Sequence, residues 1–157
     1  MNNIQFAKNL VKGKIAETVF AQMLRETKTF TVLEFGYEKV IPQLVQQGYD
    51  QDEATLEIIR TAPDFAVIDQ TTKEVRLVEV KYMRTLSKMY ALRDAKRMGE
   101  SWNPSYLFIA TLDGFYFDKI DKIIENNGEM TKLEHSQIPQ SLQDEYVKIL
   151  INFEGKN

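Results

Sequence analysis

Asp64, Glu79 and Lys81 have residue types and a spacing that suit the binding of a cation and of an anionic substrate. Residues 65–69 and 74–82 are typical of two strands joined by a short polar turn, which predicts a β-hairpin. Side chains alternate along a strand, so Glu79 and Lys81 share one face. A turn centred on Thr71 and Thr72 pairs residues whose numbers sum to 143, and Asp64 then lies opposite Glu79.

Two opposed carboxylates repel each other, at a cost of about 0.2–1 kcal/mol, and a divalent cation would remove that cost. Magnesium is commonly held by one or two carboxylates while it keeps several waters. Lys81 could then neutralise charge on an attacked phosphate or position the attacking water. The residues also permit a plainer interpretation, in which Lys81 forms a weak exposed salt bridge on a surface hairpin.

Pro63-Asp64 and Glu79-Val80-Lys81, with fourteen residues between the two acids, resemble the motif of the PD-(D/E)xK nuclease superfamily. That superfamily has the restriction-endonuclease-like fold and includes Holliday junction resolvases and many repair and phage nucleases. The resemblance implies that Asp64 and Glu79 bind Mg²⁺ or Mn²⁺, with the Val80 carbonyl as a further ligand and Lys81 as the catalytic lysine. It covers about residues 13 to 111 and implies no role for the last forty or so.

Glu17 lies on a predicted amphipathic helix over residues 4–25. On a helical wheel it falls roughly 20° beyond the Leu24 edge of the apolar stripe, so it borders the buried face. Members of the superfamily often place a helical glutamate near the metals, and the resemblance therefore makes Glu17 a candidate catalytic residue. An ordinary charge flanking the apolar stripe is the alternative.

The remaining patterns predict the elements that would position these residues. Residues 29–39 are typical of a strand, and residues 41–60 of one or two short helices. Residues 85–99 predict a helix that ends at Gly99, and residues 106–111 and 115–119 predict strands around an Asp113-Gly114 turn. Ser141 and Asp144 suggest a capping box for a C-terminal helix to about residue 152, although alternation over residues 146–153 leaves a strand open.

This order predicts an α/β fold with a central mixed β-sheet flanked by helices. With the resemblance, we expect a restriction-endonuclease-like three-layer sandwich that forms a single domain over residues 1–157. No run of roughly 20 apolar residues and no secretory signal pattern is present, so we expect a cytoplasmic protein without a membrane partner.

The charge distribution bears on the partner. Net charge is −3, which by itself argues mildly against nucleic acid, but residues 73–97 hold eight basic and three acidic residues, a local charge of +5. A solvated helix face is the plainer explanation. The position of this segment after the candidate catalytic strand favours nucleic-acid contacts, which we expect from Arg84, Lys88, Arg93 and Lys96. Because the chain has no cysteine, a metal must be held by oxygen ligands or by His135. We expect His135 to lie at the surface and assign it no role.

The sequence therefore predicts a metal-dependent nuclease that hydrolyses phosphodiester bonds, with DNA as the expected substrate and Mg²⁺ or Mn²⁺ as the cofactor. One alternative is a catalytically inactive nucleic-acid-binding module on the same fold. A second alternative is a structural or protein-interaction domain whose hairpin matches by coincidence. A homodimer stays open, because many such nucleases dimerise to cut two strands, yet no heptad repeat indicates an interface.

Overall fold

The computed structural model describes residues 2–36, 42, 46, 48 and 53–155. Within this part of the chain, one sheet contains five strands in the order β1-β2-β3-β4-β5. The strands are β1 (Phe30–Glu34), β2 (Phe65–Asp69), β3 (Val75–Tyr82), β4 (Tyr106–Thr111) and β5 (Gly114–Lys119). β3 and β4 are parallel and the other neighbours are antiparallel, so the sheet is mixed.

Helices pack on both faces of this sheet. The helices of the described residues are α1 (Asn3–Glu26), α2 (Glu53–Arg60), α3 (Lys88–Ser101), α4 (Ile120–Glu125) and α5 (Gln140–Gly155), and all but α2 belong to the two clusters that follow. One hydrophobic cluster joins α1 and α5 to the face that carries Val78 and Val80. A second joins α3 and α4 to the opposite face through Leu107 and Ile109 of β4. The α/β class and the mixed sheet flanked by helices are therefore confirmed.

The β2–β3 hairpin has the predicted register. Phe65 pairs with Val78 and Ala66 with Leu77, and both pairs sum to 143. The turn is held by Asp69, whose Oδ1 accepts hydrogen bonds from the Thr71 and Thr72 N–H groups at 2.9 and 3.3 Å. β3 pairs with β4 so that Glu79 lies beside Leu107 and Lys81 beside Ile109. Glu79 and Lys81 therefore belong to the sheet face that α3 covers.

The helix after β3 differs from its prediction at both ends. It begins at Lys88, with the Ser87 side chain accepting a hydrogen bond from the Tyr90 N–H at 3.3 Å. It continues through Gly99 to Ser101. A Cβ at Gly99 would lie 3.8 Å from the side chains of Ile120 and Ile124, an ordinary van der Waals distance, so this glycine faces α4 from inside α3 and does not end the helix.

Two further boundaries need correction. The C-terminal segment is the helix α5, and the strand alternative is wrong. Ser141 and Asp144 both lie inside this helix, and the Asp144 Oδ1 accepts from the Gln140 side chain at 2.8 Å, so the predicted capping box is not formed. β1 ends at Glu34, before the predicted end at 39, and residues 37–39 lie outside the described residues.

The helical prediction for residues 41–60 is confirmed for α2, and most of its earlier part lies outside the described residues. No helix in the described ranges has the length and apolar character needed to cross a membrane.

Candidate active site

Asp64 immediately precedes β2, where the backbone of two other segments holds it. It follows Pro63, whose side chain is fully buried. Its carbonyl oxygen accepts from the Phe35 and Gly36 N–H groups at 2.9 and 3.3 Å. Its side-chain Oδ2 accepts from the Val80 N–H at 2.9 Å. The carboxyl group of Asp64 is therefore fixed beside the middle of β3.

The Val80 carbonyl belongs to the same side of β3. In an antiparallel pair a strand residue directs its N–H and its C=O toward the same neighbour, and the Val80 N–H meets Asp64. The hairpin register, continued by two residues, places Pro63 opposite Val80. Proline has no N–H to give to that carbonyl. The Val80 oxygen is thus an acceptor on the side where Asp64 lies, as the resemblance implies for a metal ligand.

Glu79 completes an acidic pair with Asp64. It is buried, with 8% of its surface exposed. Its carboxyl group lies close enough to that of Asp64 for the two to share a hydrogen bond. Two cations flank it, since its Oε2 lies 3.5 Å from the Lys81 Nζ and 3.9 Å from the Arg97 Nη2. The predicted grouping of Asp64, Glu79 and Lys81 is present in the structure.

This environment perturbs the acidity of Asp64. Burial, and next the negative charge and hydrogen bond of Glu79, raise the pKa of Asp64 from its ordinary value of 3.8 to about 8. The Val80 N–H and the Lys81 charge act in the opposite direction. In the metal-free protein, Asp64 therefore holds its proton more strongly than it does in the unfolded chain.

The donor set fits a hydrated hard cation. Two adjacent carboxyl groups and a backbone carbonyl are oxygen ligands of the kind that Mg²⁺ and Mn²⁺ prefer. Among the described residues, no group of three or more His, Cys, Asp or Glu side chains is arranged to hold a metal. Magnesium usually binds one or two carboxylates and keeps its waters, so a pair is sufficient for it.

Glu17 lines the same clefts as Asp64. Among the described residues, however, Glu17, Asp64 and Glu79 are not arranged as a group of three that could hold a metal. Two clefts run along α1, and Glu17 and Asp64 line both. One cleft, of about 540 Å³, extends past Lys81 to Tyr82, and the other, of about 230 Å³, extends to Gly36. The Glu17 carboxylate lies 3.6 Å from the Lys14 Nζ, and a quarter of its side chain is exposed. Glu17 therefore forms part of the wall of the clefts that Asp64 also lines.

The four residues predicted to bind nucleic acid are all exposed. Arg84 lies in the loop between β3 and α3, and Lys88, Arg93 and Lys96 lie on α3. The Lys88 Nζ forms an exposed ion pair with Glu129 at 2.9 Å. The Arg93 guanidinium lies 4.6 Å from the centroid of the Tyr90 ring. These side chains are accessible from solvent, and their binding to nucleic acid stays a prediction.

Three residues near the site carried no predicted role. Arg97 reaches Glu79, and its only sequence signal is its spacing of three and four residues from Asp94 and Arg93. Tyr82 donates its hydroxyl hydrogen to Glu154 of α5, which also lies 3.1 Å from the Lys12 Nζ. Burial, and then the Glu154 hydrogen bond and charge, raise the pKa of Tyr82. Since 72 residues separate Tyr82 from Glu154, no local pattern could have predicted this contact.

Comparisons with known proteins add no identification. No protein-family model, curated protein or solved structure matches this chain significantly.

Proposed function

We propose that this protein is a metal-dependent nuclease of the PD-(D/E)xK type, with a restriction-endonuclease-like three-layer sandwich. The observation that carries the proposal is the contact between the Asp64 and Glu79 carboxyl groups, with Lys81 beside them and with Asp64 and Lys81 lining one cleft. A mixed sheet with helices on both faces is compatible with that fold. The raised pKa of Asp64 also supports it, because perturbed acids cluster at functional sites.

The chain's own groups would act as follows. Asp64, Glu79 and the Val80 carbonyl would hold Mg²⁺ or Mn²⁺. When bound, such an ion supplies charge neutralisation at a phosphate and lowers the pKa of a coordinated water. Lys81, whose side chain is about a third exposed, lines a cleft together with Asp64, and its ammonium can donate hydrogen bonds to a phosphate oxygen or hold a water in place. The expected reaction is hydrolysis of a phosphodiester bond, and we propose DNA as the substrate.

One observation favours a structural role instead. The Lys81–Glu79 distance of 3.5 Å is that of an ion pair. Neutralising the buried Glu79 carboxylate would by itself be a sufficient role for Lys81, without any catalysis. A chain with this pair and without catalysis would be either a nucleic-acid-binding module or a structural domain. The three functions differ in cleavage and in binding, so one set of assays separates them.

The test is cleavage of linear and circular DNA, single- and double-stranded, and of RNA, each with Mg²⁺, with Mn²⁺ and with chelator. We expect the wild type to cut with metal and not with chelator. Lys81→Ala should lower the rate by about 10²–10⁴-fold, because a positioned proton donor or charge is removed, while folding and metal affinity stay near those of the wild type. Asp64→Asn and Glu79→Gln should abolish both cleavage and metal-induced stabilisation.

Lys122→Ala is the matched control. The Lys122 Nζ lies 3.2 Å from the buried Asp118 carboxylate, and neither residue lines the two clefts beside Asp64. This variant should cut like the wild type. Wild-type cleavage by Lys81→Ala would remove Lys81 from the mechanism. Binding of nucleic acid without cleavage by the wild type would indicate a binding module, and neither binding nor cleavage would indicate a structural domain.

A further inference from the structure

Asp94 is a buried carboxylate on an otherwise apolar helix face. It lies on α3 with 3% of its surface exposed, in line with Ala91, Ala95 and Met98. Burying a charge is costly unless the charge is paired. Its Oδ1 lies 3.4 Å from the Arg93 Nη2 and 4.0 Å from the Arg97 Nη2. The helix therefore contains an acidic anchor for two arginines.

Arg97 connects this anchor to the candidate active site. Its Nη2 lies 4.0 Å from Asp94 and 3.9 Å from the Glu79 Oε2, so one nitrogen is placed between two carboxylates. Half of the Arg97 side chain is exposed. A guanidinium has five N–H donors in a planar fork, more than these two ion pairs use. The exposed side of Arg97 is therefore suited to a further acceptor that enters from solvent.

We propose that Arg97 binds a phosphate of the nucleic-acid substrate next to the Asp64–Glu79 pair, and that Asp94 is a positioning residue that sets its orientation. This inference rests on the proposed nuclease function. The Glu79 Oε2 lies near two cations, Lys81 at 3.5 Å and Arg97 at 3.9 Å, so a phosphate bound beside this carboxylate is within reach of both. A planar guanidinium pairs with phosphate through two parallel hydrogen bonds, which a lysine cannot do.

The first experiment compares Arg97→Gln with Lys122→Gln. Each change removes one half-exposed positive charge that is paired with a buried carboxylate, and Lys122 lies on α4, where it lines neither cleft beside Asp64. We expect Arg97→Gln to lower kcat/KM about 10- to 100-fold, and Lys122→Gln less than about threefold. The kcat/KM of Arg97→Lys should lie between those of the wild type and Arg97→Gln, because lysine keeps the positive charge but lacks the planar pair of guanidinium donors.

A second readout does not need the metal. In chelator, the affinity for a short DNA is measured against salt concentration. If Arg97 binds one phosphate, Arg97→Gln should lower the slope of log affinity against log salt by about 0.7 to 0.9, depending on whether the DNA is single- or double-stranded. A role of Arg97 confined to pairing with Glu79 would leave this slope unchanged.

The role of Asp94 is tested by a double-mutant cycle. Asp94→Asn keeps the size of the side chain and removes the anchor charge, so it should weaken DNA affinity less than Arg97→Gln does. If Asp94 acts through Arg97, the double variant should be no worse than Arg97→Gln alone. Urea melts identify any variant that is not folded at the assay temperature, and Arg97→Lys, which keeps the positive charge beside Asp94 and Glu79, tests the same residue with less risk to folding.

Three outcomes overturn the inference in whole or in part. If the wild type cuts DNA and Arg97→Gln matches Lys122→Gln in both kcat/KM and salt slope, Arg97 does not bind phosphate and the proposed nuclease stands. If the reductions caused by Asp94→Asn and Arg97→Gln multiply, Asp94 does not act through Arg97. A wild type that cuts no substrate with Mg²⁺ or Mn²⁺ overturns the nuclease function, and this inference with it.

Discussion

The metal-free protein should become less stable as the pH rises from about 4 to 8, because of Asp64. Burial and then Glu79 raise its pKa to about 8 in the folded state, against 3.8 ordinarily. The folded state therefore keeps a proton that the unfolded chain releases. For an acid with a raised pKa, the stabilising contribution is fully present below the unfolded value and disappears as the pH rises through the folded value.

The size of the effect follows from the two pKa values. At 1.36 kcal/mol for each pH unit, a pKa raised from 3.8 to about 8 corresponds to at most about 6 kcal/mol. Asp64 is half-buried and lines two open clefts, so water screens part of this energy. We expect the free energy of unfolding to fall by about 1–3 kcal/mol between pH 5 and pH 8.5 on account of Asp64.

The assay is a set of urea melts in chelator at several pH values from 5 to 8.5, for the wild type and Asp64→Asn. Groups away from Asp64 that titrate in both proteins cancel in the difference. Asp69, Asp113 and Glu154 have lowered pKa values and titrate below this window. Asp121→Asn, which removes an exposed carboxylate whose Oδ1 accepts from Asn103, is the matched control.

The free energy of unfolding of the wild type should fall by about 1–3 kcal/mol more than that of Asp64→Asn over this range, and Asp121→Asn should follow the wild type. Parallel curves for the wild type and Asp64→Asn would refute the reasoning, since they would mean that Asp64 is ionised throughout and does not share a proton with Glu79. A wild type that gains stability relative to Asp64→Asn as the pH rises would mean that the cations beside Glu79 outweigh burial.

Two further predictions concern the surface and the C-terminal helix. A variant with glutamine at all four positions predicted to bind nucleic acid should show a flatter slope of log affinity for duplex DNA against log salt, measured by fluorescence anisotropy. The residues changed are Arg84, Lys88, Arg93 and Lys96. The slope should fall by about 0.9 for each phosphate that is no longer bound, and Lys88, which is paired with Glu129, should contribute least. An unchanged slope would mean that the nucleic acid binds elsewhere on the protein. Tyr82→Phe should cost about 1 kcal/mol in urea melts because it removes a hydrogen-bond donor to the Glu154 carboxylate, whereas Tyr90→Phe, at an exposed position, should cost nothing measurable. Equal costs for the two variants would mean that the Tyr82 hydroxyl does not hold α5 in place.

The hairpin and its acidic pair could be predicted from the sequence because their determinants are local. Alternation sets which side chains share a face of β3, and a short turn sets the register, so the sum of 143 is enough to place Asp64 opposite Glu79. The same holds for α1, whose apolar spacing predicts its extent within one residue at each end. Helix ends are less well determined by sequence, because Gly99 looks like a stop signal unless the packing of α4 against it is known.

The surroundings of that pair depend on contacts between segments far apart in sequence. Arg97 meets Glu79 only because α3 folds back over the sheet after β3, and Glu154 meets Tyr82 only because α5 packs beside α1. His135, expected at the surface, is half-buried and packs against Phe30 at 5.2 Å between ring centroids. The raised pKa of Asp64 likewise depends on burial, a property of the packed molecule that spacing along a chain does not determine.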